Sequence, residues 1–168
     1  TVALALCLAL EVGRYRAERR QYRATAALRI AVVGGAPERR EALAWAQGEA
    51  AAAARLLPGD PRPLVAAGSA RLAARDADGA LEWYRLAFAV GERAETDLNF
   101  GRALMMQHDL MGAQRAFLRA GWLSPLVLGG LPEVARAPLL GEIERLTRLL
   151  EEGRLREAPP PPVGRPSP

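Results

Sequence analysis

The sequence predicts an all-α fold, and three observations carry the prediction. Half of the 168 residues are apolar but only 5% are aromatic. The apolar mass is Ala and Leu, which enter helices at little entropic cost. β-branched residues are scarce outside short runs such as Ile30-Ala31-Val32-Val33. Apolar residues also recur at spacings of three and four along several stretches, each closed by Gly or Pro. A chain of this length can bury one core of ordinary size.

The first element starts with an unbroken apolar run over residues 2–10. Nine residues are too few to cross a bilayer, which takes about 20. Glu11 follows, then Arg14, Arg16, Arg19, Arg20 and Arg23 interleaved with Tyr15 and Tyr22. Tyr and Arg favour the membrane–water interface, where the apolar part of the side chain stays buried and the polar end reaches water. Residues 1–23 are therefore expected to be the end of a membrane helix and its basic juxtamembrane segment, with upstream sequence completing the span. A buried amphipathic helix is the alternative. A signal peptide fits poorly, because its charges would precede the apolar run. Leu6 is too large to precede a lipid-modified cysteine, so Cys7 reads as a small apolar filler. As the one cysteine, it leaves no internal disulfide to form.

Charge is unevenly placed. Residues 1–40 hold eight Arg against three Glu, whereas residues 41–168 hold fifteen Arg against sixteen acids. The body of the chain is neutral and mixed in sign, which excludes nucleic acid as a partner. There is no Lys. Together with the abundant Ala, Gly and Pro this reads as a high-GC bacterial coding bias rather than selection of Arg for bidentate anion binding. The basic flank favours a cytoplasmic exit, and hence a bacterial inner-membrane location with the module on the cytoplasmic side.

Residues 24–60 form a helical lead-in. The apolar stretch 24–33 is interrupted by Arg29 and stopped by Gly34-Gly35. Pro37 suits the first helical position. A helix then reads from 38 to 57, with Leu43, Ala46, Ala50, Ala53 and Leu57 on one stripe, and Pro58-Gly59-Asp60-Pro61 stops it. This lead-in is a candidate half of a degenerate repeat.

From residue 61 the pattern recurs every 33 residues. Gly68 aligns with Gly101, Ala80 with Ala113, Tyr84 with Phe117, and Ala87 with Ala120. The turn Arg75-Asp76-Ala77-Asp78-Gly79 aligns with His108-Asp109-Leu110-Met111-Gly112, and the second unit ends in Ser124-Pro125. Small residues at these positions let helices approach, and the aromatic rings fill the space they leave. Asp78 is expected to cap the second helix of the first unit, and Thr96 or Asp97 the first helix of the next. This pattern resembles the tetratricopeptide repeat family, a helix–turn–helix unit of about 34 residues. Two units are matched, over residues 61–125. Arg71 and Glu92 depart from the family pattern in the first unit, and the Trp common near the start of the unit is absent from both.

The resemblance implies an α-α superhelix that holds a protein or peptide partner in a groove lined by the first helix of each unit. Carried onto this chain, the groove positions are Arg62, Val65, Ser69 and Leu72, then Glu95, Leu98, Arg102, Met105 and Met106. Only Asn99 and Arg102 would serve the family's carboxylate clamp, so an apolar, Met-containing groove for a helix or internal segment is expected instead. Two units give a shallow surface, and self-association is a further expectation.

Residues 126–157 abandon the repeat. Pro132 and Pro138 break what would be the next helix. A capping helix is expected from Pro138 to Glu152, closed by Gly153, with Leu139, Leu140, Ile143, Leu146, Leu149 and Leu150 on one stripe. The proline-rich tail, 158–168, is expected to be extended, mobile and disordered.

No catalytic, cofactor-binding or metal-binding grouping emerges. One Cys and one His cannot build a multi-Cys/His zinc site. His108 reads as an exposed turn residue, and Gly34-Gly35 lacks the Lys and Ser/Thr of a phosphate loop. The expected function is a non-catalytic, membrane-tethered protein–protein interaction module. The alternative is the C-terminal tail of a multi-span bacterial membrane enzyme of the O-antigen ligase or polysaccharide polymerase type, whose catalytic part lies outside this chain.

Overall fold

The computed structural model describes residues 2–163, with side chains from residue 6 onward except that of Ala36. Among these residues there is no strand. The helices in chain order are α1 (Val2–Val33), α2 (Ala36–Leu56), α3 (Pro61–Ala73), α4 (Ala77–Val90), α5 (Ala94–Met106) and α6 (Leu110–Leu123), then a 3₁₀ helix (Pro125–Gly130) and α7 (Glu133–Glu151). The all-α expectation is met by packed helical hairpins. The chain divides into two compact units, Thr1–Val90 and Gly91–Pro168.

In the first unit the expected boundary at residue 23 falls inside one continuous helix, because no breaker precedes Gly34. Small side chains decide how α1, α2 and α3 pack. Ala24 and Ala50 meet Ala66 and Ala67. Ala27 and Ala46 meet Ala70 one layer on, and Ala31 meets Ala42 and Leu43 in the layer after that. The numbers rise on α1 and α3 and fall on α2, so α2 runs antiparallel to both. A single methyl per position lets the helix backbones approach closely, and each buried methyl contributes about 0.8 kcal/mol. The buried stripe of α1 starts at Ala17, and residues 6–12 and 14–16 are exposed. No helix among the described residues is long and apolar enough to cross a membrane.

The turns of the two repeat-bearing hairpins agree atom for atom at the 33-residue spacing. After α3, Arg75 has φ 68°, and after α5, His108 has φ 64°. Each donates to the third carbonyl back, Arg75 to Leu72 and His108 to Met105, at 3.0 Å. The next residue reaches one carbonyl further, Asp76 to Arg71 and Asp109 to Leu104, also at 3.0 Å. These paired bonds are the Schellman helix stop, here with Arg and His where Gly is usual. The same aspartates then cap the following helices. Asp76 Oδ1 accepts from the Gly79 amide at 2.9 Å, and Asp109 Oδ1 from the Gly112 amide at 2.8 Å.

Three local expectations are corrected by this geometry. The cap of α4 is Asp76, not Asp78, because the chain turns two residues earlier and leaves Asp78 in the first helical turn. Thr96 and Asp97 do not cap α5. Arg93 occupies that position without a side-chain cap, and both residues lie buried within the helix. Finally, α7 starts at Glu133 with Pro132 at its N-cap, and Pro138 is carried inside it. Pro138 lies early enough to forfeit one backbone bond, to Val134 in the exposed first turn, without ending the helix. Gly153 does close α7, at φ +67°.

The core of the second unit gathers Leu98, Phe117, Leu128, Leu131, Leu139 and Ile143. Leu128 arrives from the 3₁₀ helix and Ile143 from α7. Both press on Gly121, where a Cβ would collide with their methyl groups. The tail is without helix, as expected, but it is anchored at Pro159, which is buried. Residues 164–168 of the expected disordered tail lie outside the described residues. Two exposed glycines in helix interiors, Gly48 and Gly141, have nothing within 4 Å of a Cβ. Gly48→Ala and Gly141→Ala should each raise stability by about 0.5–1 kcal/mol. A higher urea midpoint at unchanged slope is the expected reading, and a lower one would contradict the open surroundings.

Candidate functional site

The expected groove positions fall on two helices, α3 in the first unit and α5 in the second. On α3 most of their polar capacity is already used. The Arg62 guanidinium grips the Asp60 carboxylate, from Nε at 2.9 and 3.0 Å and from Nη2 at 2.6 Å. That hydrogen bonding, and then the charge of Asp60, holds the Arg62 pKa above its usual value. Asp60 also accepts from the Arg62 amide at 2.9 Å, so the pair starts α3 as a helix cap. Ser69 Oγ lies 3.3 Å from the Tyr84 hydroxyl, while Val65 and Leu72 are half-buried.

On α5 the expected groove is largely covered by the chain itself. Leu98 is only 7% exposed and belongs to the core, which removes it from any docking surface. Arg102 donates to Asn99 Oδ1 at 2.9 Å and to the Gly130 carbonyl at 2.6 Å. The two residues that resembled a carboxylate clamp are thus bonded to each other and to the 3₁₀ helix. That segment lies where an approaching partner was expected, because Leu128 and Leu131 need the apolar cover that α5 and α6 offer. Met106 is half-buried.

Met105 opens onto an apolar cavity, whereas Arg62 borders a polar one with Glu18, Gln21 and Asp60. The apolar space is about 290 Å³ and lies between the C-terminal end of α5, one face of α6 and the start of α7. Leu110, Ala113, Phe117 and Leu118 line it from α6, and Val134, Ala135, Pro138 and Leu139 from α7. Gln114 and Glu142 add the only polar side chains. Glu142 is fixed by Arg145, with bonds of 2.8 and 2.6 Å, and this pairing holds its carboxyl below the usual range. The chemistry is that of an apolar cleft with a fixed charge at its edge, near the lower end of the size range for ligand pockets. Leu110, Met105 and Val134 are exposed around it. Sequence reasoning passed over Leu110 and Val134. Their signal was apolar residues in the first turn of a helix, outside its buried stripe.

A second polar arrangement lies at the start of the same unit. Arg119 holds Glu92 by two bonds of 2.7 Å and the Pro159 carbonyl by one of 2.8 Å. The bonds to Glu92 raise the Arg119 pKa. Asp97 is fully buried, and neither of its carboxylate oxygens has a hydrogen-bond partner. Burial, and secondarily the nearby Glu92 charge, push its pKa up to about 7 against the opposing pull of Arg119. Among the described residues no group of three or more His, Cys, Asp or Glu is placed to hold a metal.

Comparison with protein families, with curated proteins and with solved structures returns no match to this chain. The functional reading therefore rests on the residues themselves.

Proposed function

We propose that this chain is a non-catalytic, tetratricopeptide-like interaction module that docks a protein partner and is attached to a membrane through α1. The observation that carries the reading is the recurrence, 33 residues apart, of one hairpin geometry. Cap, left-handed turn residue and glycine-on-ring contact all repeat, from Asp76 to Asp109, Arg75 to His108, and Gly68 under Tyr84 to Gly101 under Phe117. Stacked helical hairpins of this kind present the extended surfaces that repeat proteins use for recognition. The docking site is moved from the expected groove to the cleft beside Met105, since Leu98 and Arg102 are engaged within the chain.

A photoreactive analogue at Met105 should cross-link the partner in cells, and the same analogue at exposed Glu144 should not. Val134→Asp should lower the Met105 yield about tenfold, the loss of one buried anchor. Equal cross-linking from both positions would remove the cleft from the proposal.

A second reading draws on the exposed apolar start of α1. The chain would then be the C-terminal tail of a multi-span membrane enzyme. Further apolar spans encoded upstream of Thr1 would favour that reading over a small anchored protein.

A further inference from the structure

The apolar start of α1 is exposed. Leu6, Leu8 and Leu10 are 62%, 58% and 66% exposed, and Val12 and Tyr15 are exposed as well. Residues two apart on a helix point about 200° away from each other. Leu6 and Leu10 therefore lie on one side of α1 and Leu8 and Val12 on the opposite side. A helix that lies flat in a membrane surface needs a continuous polar face. Over residues 6–10 α1 has none.

The polar groups come afterwards and as a ring. Arg14 pairs with Glu18 at 3.2 Å, whereas Arg16 and Arg19 are exposed with no carboxylate bonded to them among the described residues. Ala17 is already fully buried. The packed hairpin therefore starts within one turn of the arginines, on a helix that continues without a break to Val33.

Resting on the membrane attachment proposed above, we infer that α1 enters an anionic lipid surface end-on. Residues 6–10 sit among acyl chains, Glu11 lies at the headgroup boundary, and the guanidinium groups of Arg16 and Arg19 lie among lipid phosphates. The α1–α2 hairpin then stands directly on the surface with no flexible spacer. Charge complementarity selects the occupant. Exposed guanidinium groups directly after an apolar segment match anionic headgroups over an acyl layer, and the excess of Arg over Glu in residues 11–23 disfavours a second copy of this helix laid alongside in parallel.

The chain's one cysteine, Cys7, is exposed and supplies the probe. An environment-sensitive fluorophore on Cys7 of the full chain is compared with one at position 15 in the Cys7→Ser/Tyr15→Cys variant. Both are bound to vesicles of phosphatidylcholine with phosphatidylglycerol that carry nitroxide quenchers at headgroup or mid-chain depth. Mid-chain quenching at position 7 with headgroup quenching at position 15 is expected. Arg16→Ala/Arg19→Ala should bind these vesicles about 25-fold more weakly, about fivefold for each arginine. Shallow quenching at both positions overturns the end-on orientation while membrane attachment stands. Equal binding to vesicles of phosphatidylcholine alone overturns the lipid class. Failure to bind any vesicle, with self-association that Leu8→Asp abolishes, overturns membrane attachment itself and puts a second copy on α1.

Discussion

Gly101→Val is expected to lower the stability of the chain by about 3 kcal/mol or more. A Cβ at this position would lie 2.6 Å from the ring edge of Phe117 and 3.2 Å from the Ala113 carbonyl. Neither can retreat, because Phe117 is in the core of the second unit and Ala113 is held in α6. Gly68 is in the same situation under Tyr84, at 2.5 Å, and Gly68→Val should cost a similar amount. The mechanism has its own check. Phe117→Ala alone should destabilise by opening a cavity, yet in the Gly101→Val background it should restore part of the loss. Urea denaturation of the two single variants and the double variant measures that coupling. Simple additivity would mean that glycine serves α5 through something other than the ring.

The stability of the wild-type chain is expected to fall as pH rises from about 4 to about 7. The carboxyl of Asp97, ordinarily 3.8, is raised to about 7 by burial. Below the ordinary value both folded and unfolded chains hold the proton, and there is no penalty. Between the two values the folded chain binds a proton that the unfolded chain has lost, so each further pH unit favours unfolding by about 1.4 kcal/mol. The total is on the order of 4 kcal/mol, complete once the folded carboxyl has also ionised. Asp97→Asn keeps the shape and removes the charge. It should flatten the pH dependence and leave the variant more stable than the wild type at pH 8. Equal wild-type stability at pH 5 and pH 8 would show that the Asp97 carboxylate has partners in solution.

The fold class was legible because it rests on composition and period. Ala and Leu at spacings of three and four leave a strand reading without support, and Gly34-Gly35 and Pro58-Gly59 mark the breaks between helices. The repeat was legible too, since Gly68 and Gly101 face the aromatic rings that their alignment suggested. The caps were harder. Asp76 and Asp78 both suit a cap, and the choice depends on where the left-handed residue falls, a position that Arg75 and His108 occupy without the glycine that would announce it. The surroundings of the expected groove were the least legible part. The groove positions follow from repeat numbering, but whether α5 stays open depends on what comes after Pro125. There Leu128 folds back onto Gly121 and the Gly130 carbonyl meets Arg102. Nothing local to α5 signals that a non-repeating segment will cover it.

The alanine seam joining α1, α2 and α3 raises a problem of register. Methyl groups look alike, so sliding α1 by one layer, three or four residues or about 5 Å, would put alanine on alanine again. What distinguishes one setting from the next is a small number of individual features. Leu28 packs against all three layers at once, and Leu43 occurs in one layer only. Arg20 reaches Glu49 at 3.2 Å, and Arg39 donates to the Ala73 carbonyl at 3.3 Å. The seam supplies close contact and these few features supply uniqueness, so shaving Leu28 to alanine would remove the α1 side chain that spans all three layers and leave α1 set against α2 by Leu43 and the Arg20–Glu49 pair alone.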